Sequence, residues 1–132
     1  MSLITIIVPC YNEEEALPIF YDEFNKVANE MSGEKFELLL VNDGSKDNTL
    51  SVMKSFAAKD ERIKYISFSR NFGKEAAIFA GLKNSTGDYV ALMDADLQDP
   101  PSLLPEMFKA ITEEGYDSVA TRRATRSGEP KV

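Results

Sequence analysis

The chain has 132 residues, a net charge of −7, 43% hydrophobic and 28% charged residues. That size and balance describe one globular domain with a single core, and the acidic surplus argues against a nucleic-acid partner. Histidine is absent, which rules out His-built zinc sites and Ser-His-Asp triads.

The first residues, "MSLITIIVPCYNEEE", lack a basic start and a small-residue cleavage site, so they read as a β-strand and not as a secretory signal. No run of 18 apolar residues occurs that could form a membrane-spanning helix. The single cysteine, Cys10, cannot form an internal disulfide and suits a reducing, cytoplasmic setting.

Strand and helix patterns then alternate. "LITIIV" (3–8) is a continuous apolar run, as for a strand buried on both faces. Leu17, Phe20, Phe24, Val27 and Met31 recur at helical spacing, with Pro18 in the first turn. "FELLLV" (36–41) predicts a second strand, and Asp47 an N-cap for a helix carrying Leu50, Met53 and Phe56. "IKYISF" (63–68) predicts a third strand, "GKEAAIFAGLKNS" (73–85) a helix and "DYVALM" (88–93) a fourth strand. Asp99 is expected to cap a last helix that Pro101 opens, with Leu104, Met107, Phe108 and Ile111 on one stripe and Gly115 at its end. "DSVAT" (117–121) predicts a short fifth strand. The alternation predicts an α/β fold, a mostly parallel sheet with helices on both faces.

Ligands of open α/β sheets bind beyond the carboxyl ends of the strands. The four segments there are "PCYNEEE", "NDGSKD", "SRNFGKE" and "DADLQD". Each has a plain structural reading. Asn-Asp-Gly-Ser is good turn chemistry, so Asp43 could be structural. Gly73 could be a tight turn and Lys74 a solvated side chain. Glu14 and Glu15 could complement a helix dipole. Asp94 and Asp96 are harder to read that way. They end an apolar strand at i and i+2, where an extended period of two aims both to one side. Such a pair suits Mg²⁺ or Mn²⁺, with substrate phosphates completing the shell. No Gly-x-Gly-x-x-Gly follows the first strand and no Walker A loop occurs, which argues against dinucleotide oxidoreductases and P-loop enzymes.

Taken together, "IIVPCYNEEEALP", "LLLVNDGSKDNT", "SRNFGKEAAIFAGL" and "DYVALMDADLQDPP" resemble the family 2 glycosyltransferases. The branch they resemble is that of dolichyl-phosphate mannose synthase and the bacterial polyprenyl-phosphate (bactoprenol) glucosyltransferases. The resemblance implies a GT-A-type nucleotide-sugar fold and inverting transfer from a UDP- or GDP-sugar to a lipid phosphate. It implies a nucleoside pocket of Pro9, Tyr11, Asn12 and Glu13, with Asp43 accepting a hydrogen bond from the base. Lys74 would lie near the nucleotide phosphates. Asp94 and Asp96 would be the metal-binding pair, with Asp96 the more direct ligand and Gln98 supporting the donor site.

In such enzymes a downstream acceptor half supplies the catalytic base, and many members carry transmembrane helices after it. The expected organisation is therefore a donor-binding domain over 1–121 and a basic tail, 122–132, that begins an acceptor region. The catalytic base is expected beyond Val132. "TRRATRSGEPKV" holds Arg122, Arg123, Arg126 and Lys131. Its plain reading is a solvated terminus. Its sharper reading places Arg122 and Arg126 on a lipid phosphate, at the cytoplasmic face of a membrane in the full-length protein. Apolar surface left uncovered by the missing half would favour a homo-oligomer. The alternatives are a nucleotide-binding piece without turnover of its own and a receiver-type signalling domain. The latter needs an acid after the third strand, where "SRNFGK" has none.

Overall fold

The computed structural model describes residues 2–98 and 100–113. Strands β1 (Leu3–Cys10), β2 (Lys35–Asn42), β3 (Ile63–Ser67) and β4 (Tyr89–Leu92) alternate with helices α1 (Ala16–Glu30), α2 (Thr49–Lys59), α3 (Lys74–Asn84) and α4 (Leu104–Glu113). A 3₁₀ turn, Pro101–Leu103, leads into α4. The four strands form one parallel sheet in the order β3-β2-β1-β4. The chain steps outward from β1 to β3, then crosses back to lay β4 on the other side of β1. That reversal opens a crevice beyond the carboxyl ends of β1 and β4.

Alternation along β1 and β2 divides the core. Ile4, Ile6 and Val8 of β1, with Leu38 and Leu40 of β2, face α1 and α2, where Leu17, Phe20, Phe24, Val27, Met53 and Phe56 are buried. Phe24 meets Phe36 edge-on with centroids 5.8 Å apart, and Tyr21 stacks on Phe56 at 4.4 Å. Truncating a buried Phe such as Phe24 to Ala costs about 3–5 kcal/mol. On the other face, among the described residues, α3 packs through Ala77 against Ile7 and Val41. Gly81 permits the close approach, since a Cβ there would lie 2.5 Å from Ile7 Cγ2. Away from the crevice that face is polar. Glu37, 3% exposed, accepts from Thr5 Oγ1 at 2.7 Å, Lys64 Nζ at 2.9 Å and Thr86 N at 3.1 Å. Burial alone would raise its pKa, but these donors outweigh it and hold the carboxyl down to about 2.

The four described strands and α1 to α3 fall where periodicity puts them, within one or two residues at each end, whereas the helix expected to open at Pro101 becomes α-helical only at Leu104, after a 3₁₀ turn. Three further details differ. Helix α2 begins at Thr49, and its flanking residue Asn48 makes no side-chain cap bond. Asp47 stands one place earlier but still accepts from Thr49 N at 3.0 Å, an Asx-type turn leading into the helix. At α1, Glu15 stands at the N-cap without a side-chain cap bond, where its charge complements the dipole, and Glu14 does not. Glu14 instead accepts from Asn48 N at 3.3 Å. Met31 lies just past the last residue of α1 and half-buries against the core. The expected Asp99 cap, Gly115 stop, fifth strand and basic tail lie outside the described residues.

Candidate functional site

The crevice is a cleft of about 280 Å³ lined by Pro9, Cys10, Tyr11, Glu13, Asp43, Lys74, Asp94, Asp96 and Gln98. Every candidate from the four loops lines it except Asn12. That residue adopts φ 56°, donates its backbone N–H to Ser45 Oγ at 2.9 Å, and accepts from Lys46 N at 2.8 Å. Its side chain therefore joins the loop after β1 to the loop after β2 and does not form the lining. Glu13 N adds a bond to Thr49 Oγ1 at 2.8 Å, which ties the loop after β1 to the start of α2 as well. Arg122 and Arg126 lie outside the described residues.

Asp94 and Asp96 share the cleft although both lie past the last residue of the strand. β4 ends at Leu92, and Leu97 N bonds Asp94 O at 3.3 Å to close a turn. Within that turn Met93 and Ala95 are buried, so Asp94 and Asp96 face out between them. Leu97 takes φ 65°. A left-handed leucine is unfavourable by about 1–3 kcal/mol and persists only where its surroundings demand it. Leu97 packs against the main core. Gln98 N donates to Asp96 Oδ1 at 3.2 Å, which orients that carboxylate. Lys74, the first residue of α3, reaches across to Asp94 Oδ1 with Nζ 2.9 Å away.

The site is strongly acidic. Burial, then the charges of Asp96, Asp94 and Asp47, raise the Glu13 carboxyl above its ordinary value. Burial and the charges of Glu13 and Asp94 push the Cys10 thiol far up, so it is an inert wall residue. The sequence marks Cys10 as the lone cysteine but not as part of the cleft wall. Its place between Pro9 and Tyr11 at a strand end was the available signal. Among the described residues no three acidic or Cys side chains gather closely enough to hold a metal by themselves. Two hard carboxylates with room beside them fit Mg²⁺ or Mn²⁺ only when ligand oxygens complete the shell.

Asp43 is 4% exposed and already engaged. It accepts from Asn71 Nδ2 at 3.1 Å, Phe72 N at 2.8 Å and Gly73 N at 3.1 Å. These partners come from the loop after β3, and no sequence signal paired them with Asp43.

The sequence pattern of glycosyl transferase family 2 matches residues 5–132. The chain belongs to this family. It is 41% identical over 129 residues to a prophage bactoprenol glucosyl transferase homolog of Escherichia coli K12, covering 98% of this chain and 42% of that protein. The mannosyltransferase PcManGT of Pyrobaculum calidifontis, solved in complex with GDP-Man and Mn²⁺, superimposes with a TM-score of 0.73 at 25% identity, over 85% of this chain and 33% of that one. Staphylococcus aureus TarS in complex with UDP-GlcNAc superimposes with a TM-score of 0.64 at 25% identity, over 83% and 31%. The chain thus carries a GT-A-type sheet and spans about two-fifths of the curated relative's length.

Proposed function

We propose that this chain is the donor-binding part of an inverting glycosyltransferase that passes a sugar from a UDP- or GDP-sugar to a polyprenyl or dolichyl phosphate. The observation that carries the reading is the meeting of Lys74, Asp94, Asp96, Glu13 and Asp43 in one cleft at the strand-order reversal. The nucleoside lies against Pro9, Tyr11 and Glu13, with Asn12 bracing the pocket from behind and Asp43 at its floor, in reach of a ring N–H. The diphosphate lies between Lys74 and the Asp94–Asp96 turn, with Gln98 beside it. Asp94 and Asp96 hold Mg²⁺ or Mn²⁺, Asp96 the more directly because Lys74 engages Asp94. When bound, the metal supplies Lewis-acid neutralisation of the leaving diphosphate. Lys74, at the start of a helix, adds to the same field.

In the transfer, the acceptor phosphate oxygen bonds to the anomeric carbon as the bond to the nucleoside diphosphate breaks. The acceptor's class is suggested by the bactoprenol relative. Arg122 and Arg126, in the tail from residue 122 onward, are proposed to meet its phosphate at a cytoplasmic membrane face. No described helix is long and apolar enough to cross a membrane. Phe79 and Leu82 of α3 stand 66% and 52% exposed, which supports self-association through that helix. A second reading, binding without turnover by this chain alone, rests on the 42% share of its relative that it spans.

Calorimetric titration with UDP and then GDP, each with and without Mn²⁺, tests the donor reading. Metal-dependent binding of one nucleotide is expected and names the base. Binding of neither overturns the reading for this chain. Turnover with a lipid-phosphate acceptor separates transferase from binding piece.

A further inference from the structure

Resting on the donor-site reading above, we infer that Asp43 is the positioning residue for Lys74: it clamps the loop that launches α3, and so sets where the lysine meets the diphosphate. Its two oxygens face four donor contacts. Oδ1 accepts from Phe72 N at 2.8 Å and Gly73 N at 3.3 Å, while Oδ2 accepts from Asn71 Nδ2 at 3.1 Å and Gly73 N at 3.1 Å. A carboxylate offers about four lone-pair sites, so the clamp engages nearly all of them. Asn71 Nδ2 also reaches the Asp43 carbonyl at 3.1 Å.

An independent observation shows that the two loops are built to touch. Gly44 has φ 67°, and a Cβ there would lie 2.1 Å from the Arg70 carbonyl carbon. Only a residue without a side chain allows that approach. The body of α3 is held separately, through buried Ala77 and the Gly81–Ile7 contact. Its first residues rest on the clamp. Gly73, at φ 106°, turns the chain directly into Lys74. Lys74 Nζ then spans to Asp94 on the β4 side, 2.9 Å away. One continuous path therefore runs from the β2 rim through Asp43, Gly73 and Lys74 to the metal-binding turn. A residue that only received a base would need no such grip on a neighbouring loop.

The test compares Asp43→Asn and the milder Asn71→Ala with the parent. The first keeps the shape but turns an amide donor toward the donors it must satisfy. The second removes one surface-side donor and leaves the buried carboxylate intact. Amide hydrogen exchange of the ligand-free chain should quicken at Phe72 and Gly73 by roughly tenfold or more in Asp43→Asn, and less in Asn71→Ala. Affinity for the nucleoside diphosphate with Mn²⁺ should fall about tenfold further than affinity for the free nucleoside, which loses only its base contact to Asp43. In a Lys74→Ala background the Asp43→Asn change should cost the diphosphate no more than it costs the free nucleoside, because the group it positions is gone. Unchanged exchange at both amides overturns the clamp. Equal losses for nucleoside and nucleoside diphosphate, or full additivity with Lys74→Ala, overturn the action through Lys74. Failure of the parent to bind either nucleotide overturns the donor reading instead, and the exchange rates still decide whether the clamp exists.

Discussion

At the scale of single residues, two carboxylates behave in opposite ways. Asp96 faces the cleft with one backbone donor on it, so its charge is available to a cation. Asp96→Asn should leave the melting temperature within a degree or two and lower metal-dependent nucleotide affinity at least about tenfold, a charge-assisted contact being worth roughly 1.5–3 kcal/mol. Calorimetry with and without Mn²⁺ checks it, and equal affinity would remove Asp96 from the metal site. Glu37 is the reverse case, a buried charge fully occupied by its own fold. Its folded pKa of about 2 lies below its free value of 4.5. Its stabilisation is therefore complete above pH 4.5 and lost as pH falls toward 2. By linkage the loss is about 3 kcal/mol. Denaturant melts of the parent and Glu37→Gln should differ at pH 7 and converge near pH 2. Asp94 and Asp96 were legible in the sequence because charges ending an apolar strand stand out. Glu37 was not, because "FELLLV" gives no hint that Thr5, Lys64 and Thr86 close around it.

At the scale of elements, the helices and strands were legible and the loops were not. Periodicity reports which face of α1 is buried, since the same side chains that repeat in sequence fill the core. Loops have no such period. That Asn12 braces the loop after β2, or that Glu14 accepts from Asn48, follows only from where β1 and β2 end side by side. The sharpest element-level prediction concerns Gly44. Gly44→Ala places a methyl group against the Arg70 backbone at a positive φ. It should lower stability by about 2–4 kcal/mol and push the loop after β3 off its seat. A melting curve, with amide exchange over residues 70–74, checks both. A change below about half a kcal/mol would mean that the loops separate at little cost.

At the scale of the whole molecule, the reversal of strand order between β3 and β4 places the cleft at an end of the sheet where its charged groups come from distant parts of the chain. Lys74 and Asp94 are 20 residues apart, and Glu13 lies far upstream of both. Ligand and metal should therefore stabilise the fold as a unit. With nucleotide at about 100 times its Kd and Mn²⁺ present, stability should rise by about 2.7 kcal/mol, or roughly 8 °C in Tm. Adding EDTA should cancel most of that gain. A rise that survives chelation would show that the nucleotide binds without the metal.

The sequence by itself determined the order of strands and helices, the family likeness and the identity of the acidic rim, because burial periodicity and charge at strand ends are local properties. Which rim groups meet depends on how the chain folds back on itself. The crossing from β3 back to β4 brings Lys74 to Asp94, and the glycine-permitted contact of two loops gives Asp43 its grip on the start of α3. Those pairings depend on closing distances between residues 20 to 30 positions apart, and no local pattern encodes such a distance.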